Sequence, residues 1–250
     1  MSQFKSALVL KDKIFLPDYD SHDKMLQELG IENSVANASK AFVRVELSPT
    51  DGNIFSAVDG WRLKVGQNVL PEWWNEAERL PQLKKLVGAW MREHVFYAGE
   101  HEVADGMWFA TGSATVKAIG SATVHVHDSA TVDAYDNVAV YARDRAIVTV
   151  HNSAMVVAIG NVIIRAYGSA TVTAIDSVIV SAYDSATVKA VDSAIVRVYN
   201  NAVVRAYCSA VVIIPERFAT NGLIELNDDS VCINPKIHII RRAAKWKWEV

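Results

Sequence analysis

Five ring-bearing residues keep one interval: Tyr135, His151, Tyr167, Tyr183 and Tyr199 stand sixteen residues apart. Rings repeated in this way can form a ledge for a sugar, a nucleobase or a protein partner. They can equally stack on one another and hold a fold together, and that structural role is the plainer reading. Cations keep the same beat. Arg165, Arg197 and Lys117 share one phase, and Lys189 and Arg205 share another. Such a set can meet phosphates or an acidic partner, although the acids and hydroxyls between them suit an ordinary solvated face.

Other groups carry less. His125 and His127 form a His-x-His pair, but their neighbours sixteen residues on are Tyr141 and Arg143. These supply no third ligand and bring a cation to the site, so no metal is expected, and no other cofactor. The run HVFYAGEHE (residues 94–102) holds His94, His101, Glu100 and Glu102, a set that suits a proton-transfer pair or, more plainly, a solvated connector. GxSxG, HExxH and a phosphate-cradling glycine loop are absent. No catalytic residues are assigned, and a non-enzymatic protein is expected.

What positions these side chains is an eight-residue phrase that recurs thirteen times without a gap from Gly112 to Pro215, as in DSATVDAY (128–135) and DSATVKAV (184–191). The fifth position is always Val or Ile, and the third and seventh are nearly always Ala or Val. In an extended chain these three share a face, while the sixth points the other way and is mostly polar. The first position is Gly, Asp or Asn in every copy but the last, where it is Cys208. These are types that tolerate φ > 0. Each octad therefore reads as a five-residue strand and a sharp turn, helped by Ser at the second position.

Strict repetition favours a solenoid over hairpins, each coil burying its Ala/Val face against the next. The columns at the eighth position (the Tyr set) and the fourth (Ile147, Ile163, Ile179, Ile195, Val211) repeat every sixteen residues more faithfully than every eight. The expected fold is mainly β: a parallel β-solenoid with two octads per sixteen-residue coil, flattened, about six and a half coils and roughly 30 Å long. Three octads per coil would scramble the columns and ranks second. The octad does not fit the periods of hexapeptide acyltransferases, pentapeptide DNA mimics or calcium-binding nonapeptides.

Residues 1–105 read as a small α+β domain. Strands are expected around a Lys11-Asp12 turn, at Ala41–Leu47 and at Trp61–Val65. A helix capped at Asp20 or Ser21 should have Gly30 just past its end, and two more should open at Pro71 and Pro81. Its tryptophans, counted with Trp108, suit a core better than a ligand cage. Residues 106–215 form the solenoid. In 216–250, strands at Leu223–Leu226, Val231–Ile233 and Ile237–Ile240 suggest degenerate coils and a cap.

Net charge is −3, and the octad region holds equal numbers of acids and bases. That balance suits neither an acidic DNA mimic nor a dedicated nucleic-acid binder, so nucleic acid is not a favoured partner. No apolar run reaches transmembrane length, Met1–Leu10 lacks a signal-peptide plan, and Cys208 and Cys232 make no CxxC. A cytoplasmic protein without a membrane partner is expected.

The segments FLPDYDSHDKMLQELGI (15–31), NASKAFVRVEL (37–47) and VLPEWWNEAERL (69–80), followed by the octads, resemble a known arrangement. It is that of uncharacterised bacteriophage and prophage proteins, in which an α+β leader domain precedes tandem DSxTV-type octads. The resemblance covers most of the chain. It implies a phage origin and hence a host-cell cytoplasm, and it brings no functional residues with it. The expected function is an interaction protein whose rigid walls meet a host protein or complex, as an inhibitor of bacterial defence. Tyr135, His151, Tyr167, Tyr183, Tyr199, Arg165, Arg197 and Arg205 are its candidate contacts. The alternatives are a glycan-binding virion part and an enzyme with its site near His94, His101 and His127. Self-association through a solenoid edge or wall is also open.

Overall fold

The structure, a computed structural model, describes residues 4–215, 222–234, 239–242 and 246–248. The chain divides into two compact units, Met1–His94 and Val95–Val250.

In the second unit the octad does what its pattern requires. From Ala114 to Val212, every side chain at the third, fifth and seventh positions is at most 1 % exposed. Small residues at the ends of each strand and a β-branched one at the centre suit a narrow interior. Neighbouring coils pair in parallel sixteen residues apart: Val148 lies between Val132 and Ile164 on one wall, and Val156 between Val140 and Val172 on the other. The chain is thus a parallel β-solenoid with two strands per coil. The first wall contains Thr131–Ala134, Ile147–Val150, Ile163–Ala166, Ile179–Ala182 and Ile195–Val198; the second contains Thr123–Val126, Ala139–Ala142, Met155–Ile159, Thr171–Ile175 and Thr187–Ala190.

It makes about eight turns, more than the octads account for, because pairing runs past both ends of the repeat. Val95–Val103 pairs in parallel with Met107–Ala118, with a register shift between Phe96 and Ala98. The segment that looked like a connector is therefore a strand of the first coil. Beyond the repeat, Ile224–Leu226 stacks on Val203–Ala206 and Val231–Asn234 on Val211–Ile213, with partners now twenty residues apart. Ile239–Arg242 and Trp246–Trp248 then pair antiparallel with those last two rungs, and parallel stacking ends. The break at Glu216–Asn221, the first half of the strand expected at Ile237–Ile240, and parts of the Arg241–Val250 tail lie outside the described residues.

Corners follow from the first position. Asp128, Asp136, Asn152 and Cys208 all have φ between 53° and 59°, a region most L-residues avoid. The third residue's N–H donates back to the eighth residue's carbonyl across the turn, as from Ala130 to His127 (3.2 Å) and from Ala154 to His151 (3.1 Å). That bond draws the third residue into the turn, so most strands have four residues where five were expected. Aspartate adds a second contribution. Asp184 accepts from the Gly168 N–H at 3.0 Å and Asp136 from the Gly120 N–H at 3.3 Å, tying each corner to the one a coil earlier.

The first unit is a four-stranded antiparallel sheet in the order β2-β1-β3-β4, with β1 at Lys5–Leu10, β2 at Ile14–Phe15, β3 at Phe42–Pro49 and β4 at Trp61–Val65. Helix α1, His22–Glu28, is capped by Ser21, whose Oγ accepts from Lys24 N, and Gly30 follows it at φ 66°. Its Met25 and Leu26 pack on Leu8 and Phe42. After the short α2, Val35–Ala38, the two helices expected at Pro71 and Pro81 prove to be one: α3, Glu76–His94, runs through Pro81. Proline forfeits one backbone bond in the second turn. The buried face of Leu83, Val87, Trp90 and Met91 carries the helix on regardless. Trp61 and Trp90 are core residues here, whereas Trp108 sits in the solenoid, its ring stacked 5.4 Å from Phe96. Lys5 was not singled out by its pattern. It is 1 % exposed, donates to Asp20 at 3.3 Å and lies 4.3 Å over the Trp90 ring. Burial lowers its pKa, against the pull of Asp20.

Candidate interaction surface

Because partners are sixteen residues apart, every residue at a given octad position forms a column along a wall or corner. The eighth-position column after the first wall is the tyrosine set, and its rings stack. Tyr135–His151, His151–Tyr167, Tyr167–Tyr183 and Tyr183–Tyr199 have centroids 4.5, 5.2, 4.7 and 4.5 Å apart and planes within 9° of parallel. Each inner ring has both faces covered by its neighbours. A sugar stacks on an open ring face, and the ladder shows edges and hydroxyls instead. Tyr199 has its pKa raised, first by burial and then by the adjacent Tyr183.

Arg165 and Arg197 lie on the first wall beside this ladder, in one sixth-position column with Ser181 between them. Both are exposed, and neither has an ion-pair partner among the described residues. The third candidate cation is elsewhere: Arg205 is on the second wall and donates to Glu225 at 2.8 Å. Lys117 pairs with Glu102 at 3.1 Å, and Lys189 lies 5.5 Å over the Tyr207 ring. Of the eight expected contacts the structure thus gathers seven on one side and leaves Arg205 on the other.

One feature of this wall escaped the sequence reading. The fourth-position column, which revealed the sixteen-residue period, points outward, so Ile163 is 42 % exposed and Ile147 36 %. Strand alternation was the available signal: the fourth position has the parity of the polar sixth, and an isoleucine there must face solvent or a partner.

The histidines are held separately. His125 is sandwiched between Phe109 and Tyr141, with centroids 4.9 and 5.0 Å away, and its pKa is pushed down to about 4 by burial, then by His127 and Arg143. His127 lies 3.6 Å from Asp144; burial lowers its pKa while Asp144 opposes the shift. His94 belongs to the first unit, 3.0 Å from Asp18 and 2.9 Å from the Trp90 carbonyl. His101 stacks on Phe96, 3.8 Å away, and borders a hollow of about 280 Å³ lined also by Glu100, Glu102, Thr115 and Lys117. Among the described residues no three His, Cys, Asp or Glu side chains gather as a metal site, and no helix is long and apolar enough to cross a membrane.

The His125 environment predicts an acid response. Its folded pKa lies below the unfolded value, so the unfolded chain takes up the proton first as pH falls. Stability from this group is complete above about pH 6.5, declines as pH drops toward 4, and levels off below that. The loss should reach about 2 kcal/mol after allowance for partial solvent access. His125→Phe should flatten that part of a urea-melt profile taken between pH 7 and pH 4; an unchanged slope would refute the assignment.

No protein-family model, curated protein or solved structure matches this chain.

Proposed function

We propose that this is a non-enzymatic interaction protein of phage or mobile-element origin, which presents the edge of its tyrosine ladder to a host macromolecule and so inhibits a bacterial defence component. One observation carries the contact surface: a row of tyrosine rings is held in register on a solenoid whose inward side chains are fully buried. Tyrosine edges lose little conformational entropy on contact, and stacking immobilises them further before any partner arrives. Stacked faces argue for hydroxyl and edge contacts to a protein over ring-on-sugar contacts.

Tyr→Phe changes separate recognition from support, since phenylalanine keeps the stack and removes the hydroxyl. Tyr167, Tyr183 and Tyr199 changed together to Phe should leave the melting temperature within a few degrees and weaken capture of a partner from a bacterial lysate at least tenfold. Equal capture by the wild type and the triple variant would reject the ladder as the contact. Turnover in a screen of purified substrates, with no partner captured, would reject the non-enzymatic reading. Glycan-array binding lost in the triple variant would replace the host-protein partner with a sugar.

A further inference from the structure

We infer that two copies of this chain pair face to face through their first walls, about a two-fold axis that runs along the strands at Thr149. The pairing does not depend on the host-partner reading. It rests on the order of charges in the sixth-position column, which in successive coils reads Glu102, Lys117, Asp133, Thr149, Arg165, Ser181, Arg197 before it continues into the uncharged Ile213 and Ile233.

About Thr149 this column is its own complement. A two-fold axis along the strand direction keeps positions opposite like positions and reverses the order of coils. Asp133, one coil before the axis, then faces the partner's Arg165, one coil after it. Glu102, three coils before and paired with Lys117 of its own chain at 3.1 Å, faces the partner's Arg197 as a second cation, and Lys117 faces the partner's Ser181. Each pair occurs twice, so the two arginines that lack an ion-pair partner among the described residues each gain one. Asp133 is about half exposed, and the His151 ring lies 3.8 Å from it within the chain. Moving the axis one coil on, to Arg165, would set that arginine against its own copy. Moving it to Ser181 would set Arg165 against the partner's Arg197. Of these three registers, complementary charge favours the one at Thr149.

The fourth-position column supplies the apolar part. Ile147 meets the partner's Ile147 at the axis, and Ile163 and Ile179 lie over the methyl groups of the partner's Thr131 and Thr115. Ile147 and Ile163 are exposed and Ile179 and Ile195 partly so, an apolar row of the kind that soluble proteins cover. Glu100 opposite the partner's Ile195, at the margin, is the one poor match. Seven coils at about 4.8 Å, each about 17 Å wide, cover roughly 600 Å² per copy, or about 1,200 Å² in all, which meets the lower bound for specific interfaces. Position along the strand is preserved, so both tyrosine ladders emerge on the same side of the pair, Tyr135 beside the partner's Tyr167.

Sedimentation equilibrium of the purified full chain tests this without any host component. A particle of twice 27.5 kDa is expected to form by about 100 µM, a range suited to an interface of this size. Asp133→Arg or Arg165→Asp alone should weaken it at least tenfold, and the two together should restore it to within about threefold. Ile163→Glu should also yield monomer. Circular dichroism melts confirm that each variant is folded. A wild type still monomeric at that concentration would overturn the pairing. So would folded single variants that dimerise as before, or a double variant that stays apart.

Discussion

Gly120→Asn is expected to destabilise the protein by about 3 kcal/mol, while the same change at Gly168 costs under about 1 kcal/mol. The two glycines hold the same octad position and nearly the same backbone, φ 65° and 66°. Asparagine stands at that position elsewhere: Asn152 has φ 56° and Asn200 φ 54°. Backbone preference therefore predicts equal and mild effects. Space decides otherwise. A Cβ on Gly120 would meet the Ala104 carbonyl oxygen at 2.6 Å, closer than atoms can pack, whereas at Gly168 the nearest atom, Asn152 N, is 3.1 Å away. The residue one coil earlier differs. Beneath Gly168 lies Asn152 at φ 56°. Beneath Gly120 lies Ala104, which is not among the positive-φ residues and follows the irregular first coil, where Val103 pairs with Ala118 only fifteen residues on. A Cβ on Gly112 would meet the Tyr97 carbonyl oxygen at the same 2.6 Å, so this position should behave like Gly120. Urea melts of the two asparagine variants measure the contrast, and equal losses would show that the first coil relaxes freely.

Ala174→Leu is expected to cost about 3 kcal/mol or more, through overpacking of a core that has no room for three added carbons. Ala174 is fully buried and pairs with Ala158 below and Ala190 above. It belongs to a cluster of buried Ala and Val side chains, which have little rotamer freedom with which to make way. Thr171→Leu, three residues earlier on the exposed side of the same strand, should stay within about 0.5 kcal/mol of the wild type. Thermal melts of the pair check this. Stability of Ala174→Leu close to that of Thr171→Leu would mean that the interior is looser than its burial implies.

Much of the candidate surface was legible in particular residues. The sixteen-residue spacing of Tyr167 and Tyr183 required one ring above the other, and the rings are 4.7 Å apart. Arg165 and Arg197 were placed on one wall and Arg205 on the other by octad phase alone, and the registers agree. Less visible were interactions between residues of unlike phase. Nothing in the repeat announced that Arg205 would be engaged by Glu225, because four extra residues separate that partner from the sixteen-residue register. Pro81 misled for a related reason. Proline's local cost argues for a helix boundary, and only the packing of Leu83, Val87 and Trp90 reveals that a continuous helix outweighs it.

By itself the amino-acid order determined the solenoid, the two octads per coil and the side on which each column lies. Those properties come from strand alternation and from residues that accept φ > 0, both local and both repeated until no competing register could match. Only the tertiary structure decided where the first coil begins, that one corner tolerates a Cβ and its equivalent does not, and that the tyrosine faces cover one another. These depend on distances between chain segments of different composition. Interatomic space, unlike backbone preference, is set by everything that packs around it.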